Sequence, residues 1–245
     1  MATPGINLAT VESVRSIHRQ YPGIHVSEWS REMTEQQMSL TFLTGNETVL
    51  ELGSNIGRNT ILIGHILKSG GGTITTVESN SRFLSALQDG IRRSKLSNIK
   101  VCGNPISKNR IIIRGWNSHT IKHGVAVPSG WREVQVVSLD EVKLLHSVDH
   151  FDTLVIDCEG AFYHILLEYP EIMNGVQTVL IENDFKDRKH AEYVHSVFRT
   201  HELEPVWSTS IKRSHPSPCT QYFWQAWTIS NHDASTATTD TKPAQ

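Results

Sequence analysis

The chain has 245 residues, of which 38% are hydrophobic and 20% charged, and its formal net charge is −2. That length and apolar share suit one sizeable α/β domain with a continuous core rather than two independent ones. A near-neutral charge gives no whole-protein positive field toward nucleic acid, which is therefore not indicated, and no run of about 18 apolar residues offers a membrane span.

In chain order, a loose N-terminal helix comes first. Thr34 is then followed three residues later by Gln37, a capping-box spacing, with Met33 and Met38 placed as a hydrophobic staple. A helix is expected from about Glu35 to Leu43. Five short β-branched runs follow, at 48–52, 73–77, 99–102, 152–156 and 177–181, with little alternation of apolar and polar residues. Such runs are expected to be parallel strands buried on both faces. Between them, Ile61, Leu62, Ile66 and Leu67 give one apolar helix face, and Phe83, Leu84, Leu87 and Ile91 another. Ala191, Val194, Phe198 and His201 repeat the period later in the chain.

Residues 105–135 break the rhythm and are expected to lie over the sheet edge or the active site. Ser138 and Glu141 form a second capping-box spacing before the fourth main strand. EPVW at 204–207 and the run at 221–229 are expected to close the sheet as an antiparallel pair. The division expected is an N-terminal helical segment over 1–45, a catalytic domain over 46–230 and a disordered polar tail over 231–245. Cys102, Cys158 and Cys219 form no CxxC pair, which fits a reducing, cytoplasmic setting.

The chemistry is carried by Glu51-Leu-Gly53-Ser54-Asn55-Ile-Gly57, directly after a strand and before an apolar helix. Glycines at such a turn permit unusual backbone angles and let a ligand meet backbone. A dinucleotide fingerprint needs GxGxxG, but Asn55 and Arg58 stand at the second and third glycine positions. The GxxxG pattern after an acidic residue instead resembles motif I of class I methyltransferases, whose cofactor is S-adenosylmethionine. Glu78, with Ser79 beside it, ends the next strand where that resemblance expects a ribose-binding carboxylate. The turn at Asn104 and Ile106 is the weaker candidate for the adenine edge.

VLELGSNIGRNT, the TVESN turn, VVSLDEV, IDCEGA around Asp157 and Glu159, and VLIEND at 179–184 together resemble the FkbM family of methyltransferases over roughly residues 30–230. The resemblance implies a doubly wound, mostly parallel seven-stranded Rossmann-like sheet with a C-terminal antiparallel hairpin. It also implies O-methylation of a hydroxyl on a small-molecule partner, a sugar or metabolite. Two positions depart from the family pattern: Phe162 replaces its second acid, and Val155 replaces a lysine often found before the motif.

In-line methyl transfer needs an aligned acceptor and a group to take its proton. The ligand crevice of such a sheet lies at the strand carboxyl ends, which makes Asp157 and Glu159 the first catalytic candidates and Asp157 also a cofactor contact. His164, one helical turn beyond Gly160, is a further one, and His119 and His123 are a weaker pair in the insert. Asp157 with Glu182-Asn183-Asp184 resembles the magnesium site of catechol-type methyltransferases, which leaves magnesium possible but not favoured. A methyltransferase fold that binds without turnover is the competing functional class.

Overall fold

The computed structural model describes residues 6–21, 31–115, 117–212 and 214–229. The expected tail over 231–245 and Trp116 therefore lie outside the described residues. Two helices open the chain, α1 (Val11–His18) and α2 (Met33–Phe42). An alternating series follows: β1 (Thr48–Leu52), α3 (Arg58–Gly70), β2 (Thr73–Val77), α4 (Ser81–Ser94) and β3 (Ile99–Cys102). The insert forms β4 (Arg110–Arg114), β5 (Asn117–Ile121) and β6 (Arg132–Val134). The rest comprises α5 (Leu139–Leu144), β7 (Thr153–Ile156), α6 (Phe162–Glu168), β8 (Thr178–Glu182), α7 (Arg188–Thr200), β9 (Leu203–Thr209) and β10 (Trp224–Ile229).

Seven strands form one sheet in the order β3-β2-β1-β7-β8-β10-β9, and β10 runs antiparallel to both its neighbours. The doubly wound sheet with a closing hairpin is thus as the resemblance implies. Its strands feed two cores by simple alternation, since successive side chains point to opposite faces. Leu50, Leu52, Leu154, Ile156, Val179 and Ile181 pack with α6 and α7 through Phe162, Leu166, Val194 and Phe198. Val49, Val155 and Leu180 point the other way, against Met38 of α2 and Ile61, Ile63 and Leu67 of α3. Pro205 falls in β9, the edge strand, where a missing N–H costs no ladder bond.

The second helix differs from its expected start. It begins at Met33, its N-cap is Glu32 in the left-handed region (φ 57°), and no side chain caps it. The Gln37 amide donates to the carbonyl of Ala9 at 2.6 Å, tethering α2 to the segment before α1, so the Thr34/Gln37 box does not form. At Ser138, by contrast, both reciprocal bonds of the capping box with Glu141 are present.

Residues 105–135 do not extend the main sheet. They form a separate three-stranded antiparallel sheet ordered β5-β4-β6. Phe162 is fully buried with its ring centroid 6.2 Å from that of Phe198, and Val155 is buried on the α2/α3 face. Both departures from the family pattern therefore fall in the core. No described helix is long and apolar enough to cross a membrane.

Candidate active site

β1 lies between β2 and β7, and the chain order reverses there, so the carboxyl ends of β1 and β7 frame the crevice that this topology leaves open. A cavity of about 810 Å³ occupies it, a size ordinary for a cofactor pocket. Its floor comes from the turns after β1, β2, β3 and β7. Its roof comes from the insert: Ile111 and Ile113 of β4 and Asn117 to Thr120 of β5 line it.

The turn after β1 is built from left-handed residues: Gly53 (φ 90°), Asn55 (φ 51°) and Gly57 (φ 90°), the last being the N-cap of α3. The Asn55 backbone N–H donates to Glu78 Oε2 at 2.9 Å, and the Asn80 N–H donates to Glu78 Oε1 at 2.7 Å. Glu78 thereby ties the β1 and β2 turns together at the cavity wall, and its burial raises its pKa. The Asn55 amide donates to Glu32 Oε1 at 2.8 Å, and Arg58 Nη1 reaches the same oxygen at 2.7 Å. Glu32 is a cavity residue that no local sequence signal marks.

Of the residues assigned from sequence, Gly53, Asn55, Glu78, Ser79, Ile106, Asp157, Glu159 and His164 share this cavity. Glu51, Ser54, Gly57 and Asn104 do not line it. Glu51 points to the α2/α3 face, where the hydroxyls of Thr60 and Thr76 both donate to its Oε2 at 2.6 Å, and burial pushes its pKa up to about 7. Ser54 is buried beside a much smaller chamber of about 20 Å³, shared with Glu35, Asp157 and Glu182. A Cβ on Gly57 would stand 2.6 Å from Leu87 Cδ1, so the glycine allows the left-handed N-cap of α3 to pack closely against α4. The Asn104 carbonyl accepts from Cys102 Sγ at 3.3 Å.

The turn after β7 is likewise left-handed, with Glu159 at φ 55° and Gly160 at φ 78°. It presents Asp157, Cys158 and Glu159 to the cavity. Burial, followed by the charges of Glu35 and Asp184, raises the Asp157 pKa well above the carboxylate range. Burial and then Asp157 do the same to Glu182, and burial with Glu159 lifts Asp184 to about 7. The Trp224 indole N–H donates to Glu35 at 2.8 Å and to Glu182 at 3.1 Å. Asp157, Glu182 and Asp184 each offer an oxygen within 4.8 Å of the others'. Asn183 does not join them: its side chain is buried on the opposite side, bonded to His195 at 2.8 Å and Gln225 at 3.0 Å.

His164 is exposed on the cavity wall, 5.6 Å between ring centroids from His190, and burial of part of its ring together with that neighbour lowers its pKa. His119, on β5, lines the same cavity, whereas His123 lies beyond the strand. Glu168 closes the β3 turn against α6 by accepting from Ser107 Oγ and Asn109 Nδ2 at 2.9 Å each.

No family model matches the sequence, and no curated protein is significantly similar to it. Among solved structures, a precorrin-6y C5,15-methyltransferase from Geobacter metallireducens GS-15 aligns at 11% identity and a TM-score of 0.49, over 86% of this chain and 99% of that one. An O-methyltransferase from Bacillus cereus in complex with SAH gives 12% and 0.48, over 92% and 94%. The FkbM methyltransferase from Methylobacillus flagellatus KT gives 12% identity and a TM-score of 0.54 over 89% of this chain and 59% of that one. The fold is that of the class I methyltransferases. In this chain the β1 turn, the β2 end and the β7 turn meet around one cavity.

Proposed function

We propose that this chain is an S-adenosylmethionine-dependent methyltransferase that O-methylates a hydroxyl of a small molecule such as a sugar or metabolite. The observation that carries the reading is Glu78: a carboxylate at the end of β2, bonded to the β1 glycine turn, in one cavity with Asp157 and Glu159. Each Glu78 oxygen accepts one backbone N–H and retains capacity for a ribose hydroxyl. The turn residues Gly53 and Asn55 would face the amino-acid portion, and Pro105 and Ile106 offer an apolar edge for adenine. Bound there, the cofactor would supply an electrophilic methyl group on a sulfonium, a cation suited to an acid-lined wall. Glu159 and His164 are the cavity groups able to take the acceptor's proton, and the lowered pKa keeps His164 neutral for that role at pH 7. Neither Phe162 nor Val155 removes a group from the cavity wall, so nothing at those positions favours binding without turnover.

A second reading adds a divalent cation held by Asp157, Glu182 and Asp184, hard oxygen donors gathered within 4.8 Å. Calorimetric titration with S-adenosylmethionine, S-adenosylhomocysteine and NAD, with and without magnesium, tests both. Saturable binding of the first two and not of NAD supports the methyltransferase; no binding of either overturns it. Titration with magnesium alone tests the cation, and the absence of saturable magnesium binding removes it.

A further inference from the structure

Resting on that reading, we propose that the acceptor is a small hydroxyl compound bearing a phosphate or comparable anionic group, and that Lys186 receives this group. The cavity wall divides by chemistry. The β1, β2 and β7 turns, with the N-cap of α2 and the ends of α6 and β8, bring the acids Glu32, Glu78, Asp157, Glu159, Glu168 and Glu182, whereas the insert and the segment before α7 bring Asn117, Ser118, His119, Thr120 and Lys186. Lys186 is the one Lys or Arg among the described lining residues, and it is exposed. Its Nζ donates to Asn117 Oδ1 at 2.8 Å, and no carboxylate of the described residues stands within ion-pair distance of it. That bond joins α7's leading segment to the edge strand of the insert, so the ammonium is held where the roof meets the wall.

The roof carries an excess of the same sign, although the acid Glu168 is bonded against its first turn. Residues 105–135 carry five Lys and Arg and a single acid, Glu133, in a chain of net charge −2 overall. Three of those cations are engaged: Arg110 with Glu133 at 2.7 Å, Arg114 over the Trp131 ring at 4.8 Å, and Lys108 over Tyr169 at 4.5 Å. The other two, Lys122 and Arg132, are exposed and lie outside the cavity lining, so the positive balance of the roof favours approach of an anion while Lys186 is the cation that meets it inside. One ammonium that has no carboxylate partner among the described residues fits one anionic group rather than a polymer backbone. The neighbouring amide, hydroxyl and imidazole groups of Asn117, Ser118, Thr120, His119 and His164 suit a polyhydroxy body.

The test is calorimetry of the protein, saturated with S-adenosylhomocysteine, against ribose, ribose 5-phosphate, inorganic phosphate and a 12-nucleotide single-stranded RNA. Ribose 5-phosphate is expected to bind at least about tenfold tighter than ribose, with added salt weakening it and inorganic phosphate competing. Lys186→Gln should abolish that contrast and Lys186→Arg retain it, both melting within ~2 °C of the wild type as surface substitutions do. Equal binding of the sugar and its phosphate, binding of neither, a contrast that survives Lys186→Gln, or RNA binding tighter than the sugar phosphate would each overturn the proposal. A protein that binds the sugar phosphate but not S-adenosylhomocysteine would overturn the methyltransferase reading and leave the anion subsite standing.

Discussion

Gly53 and Asp157 meet backbone to backbone: a Cβ built on Gly53 would stand 1.6 Å from the Asp157 carbonyl oxygen and 2.6 Å from its carbonyl carbon. The glycine that opens the loop is therefore required by the contact between the ends of β1 and β7 before any ligand is considered. Gly53→Ala adds that clash to a backbone at φ 90°, a region in which side chains are strained. The expected cost is roughly 3 kcal/mol or more, a fall in melting temperature of about 6 to 12 °C for a chain of this size. Thermal melts of the ligand-free variant check it. Wild-type melting with lost S-adenosylhomocysteine binding would instead assign Gly53 to the ligand alone.

Glu78 is the converse case, a residue whose removal should be read in binding. Glu78→Gln leaves one of the two backbone N–H groups of Asn55 and Asn80 without an acceptor and weakens any bond to a ribose hydroxyl. Binding of S-adenosylhomocysteine should fall about tenfold to a hundredfold, as for loss of one charge-assisted hydrogen bond. Isothermal titration of variant and wild type decides it, and unchanged affinity would place the ribose elsewhere.

The main sheet was legible because β-branched runs and a glycine turn are local properties, and buried parallel strands impose them directly. The insert was not. Asn117 to Thr120 are all exposed, so β5 has no alternation to read, and it is a strand through its pairing with β4. The Thr34/Gln37 spacing misled because a tertiary partner, the Ala9 carbonyl, takes the Gln37 amide. Within the site, strand-end acids such as Glu78 and Asp157 could be placed from the order of βα units. Glu32 and Lys186 could not, since nothing local separates a charged residue folded over a cavity from one in solvent. Glu51 preceded the glycine turn as expected, yet the pleat directs it to the opposite face from Leu50 and Leu52.

Phe162 tests whether the departure from the family pattern is structural. It is fully buried, in the core that α6 shares with Phe198. Phe162→Asp removes an aromatic side chain and buries a carboxylate, at an expected cost of at least about 4 kcal/mol, or a loss of roughly 8 °C or more in melting temperature. Phe162→Leu should be far milder, because it retains apolar volume. Wild-type melting of Phe162→Asp with altered ligand binding would mean that the side chain reaches the cavity instead.

Glu51 gives a pH signature whose sign follows from linkage. Its pKa rises from 4.5 to about 7 on folding through burial, so the folded state holds its proton more tightly than the unfolded state. Between those values the folded chain binds more protons, and stability falls as pH rises from about 4.5 to 7. Asp184, raised to about 7 by burial and Glu159, acts in the same direction. His18 and His195 oppose both: burial lowers each to about 4, so their contribution to stability grows as pH rises from 4 toward 6.5. The wild-type curve therefore mixes opposite slopes, and the difference between Glu51→Gln and wild type isolates one group. Glutamine keeps a single oxygen for both Thr60 and Thr76 while carrying no charge. Relative to wild type, the variant should gain stability progressively from pH 4.5 to 7 and hold a constant offset above, on the order of 3 kcal/mol across the window. Chemical denaturation of the ligand-free proteins at pH 4.5, 6 and 8 measures it, and a stability difference that stays flat across the three would mean that Glu51 titrates alike in the folded and unfolded chain.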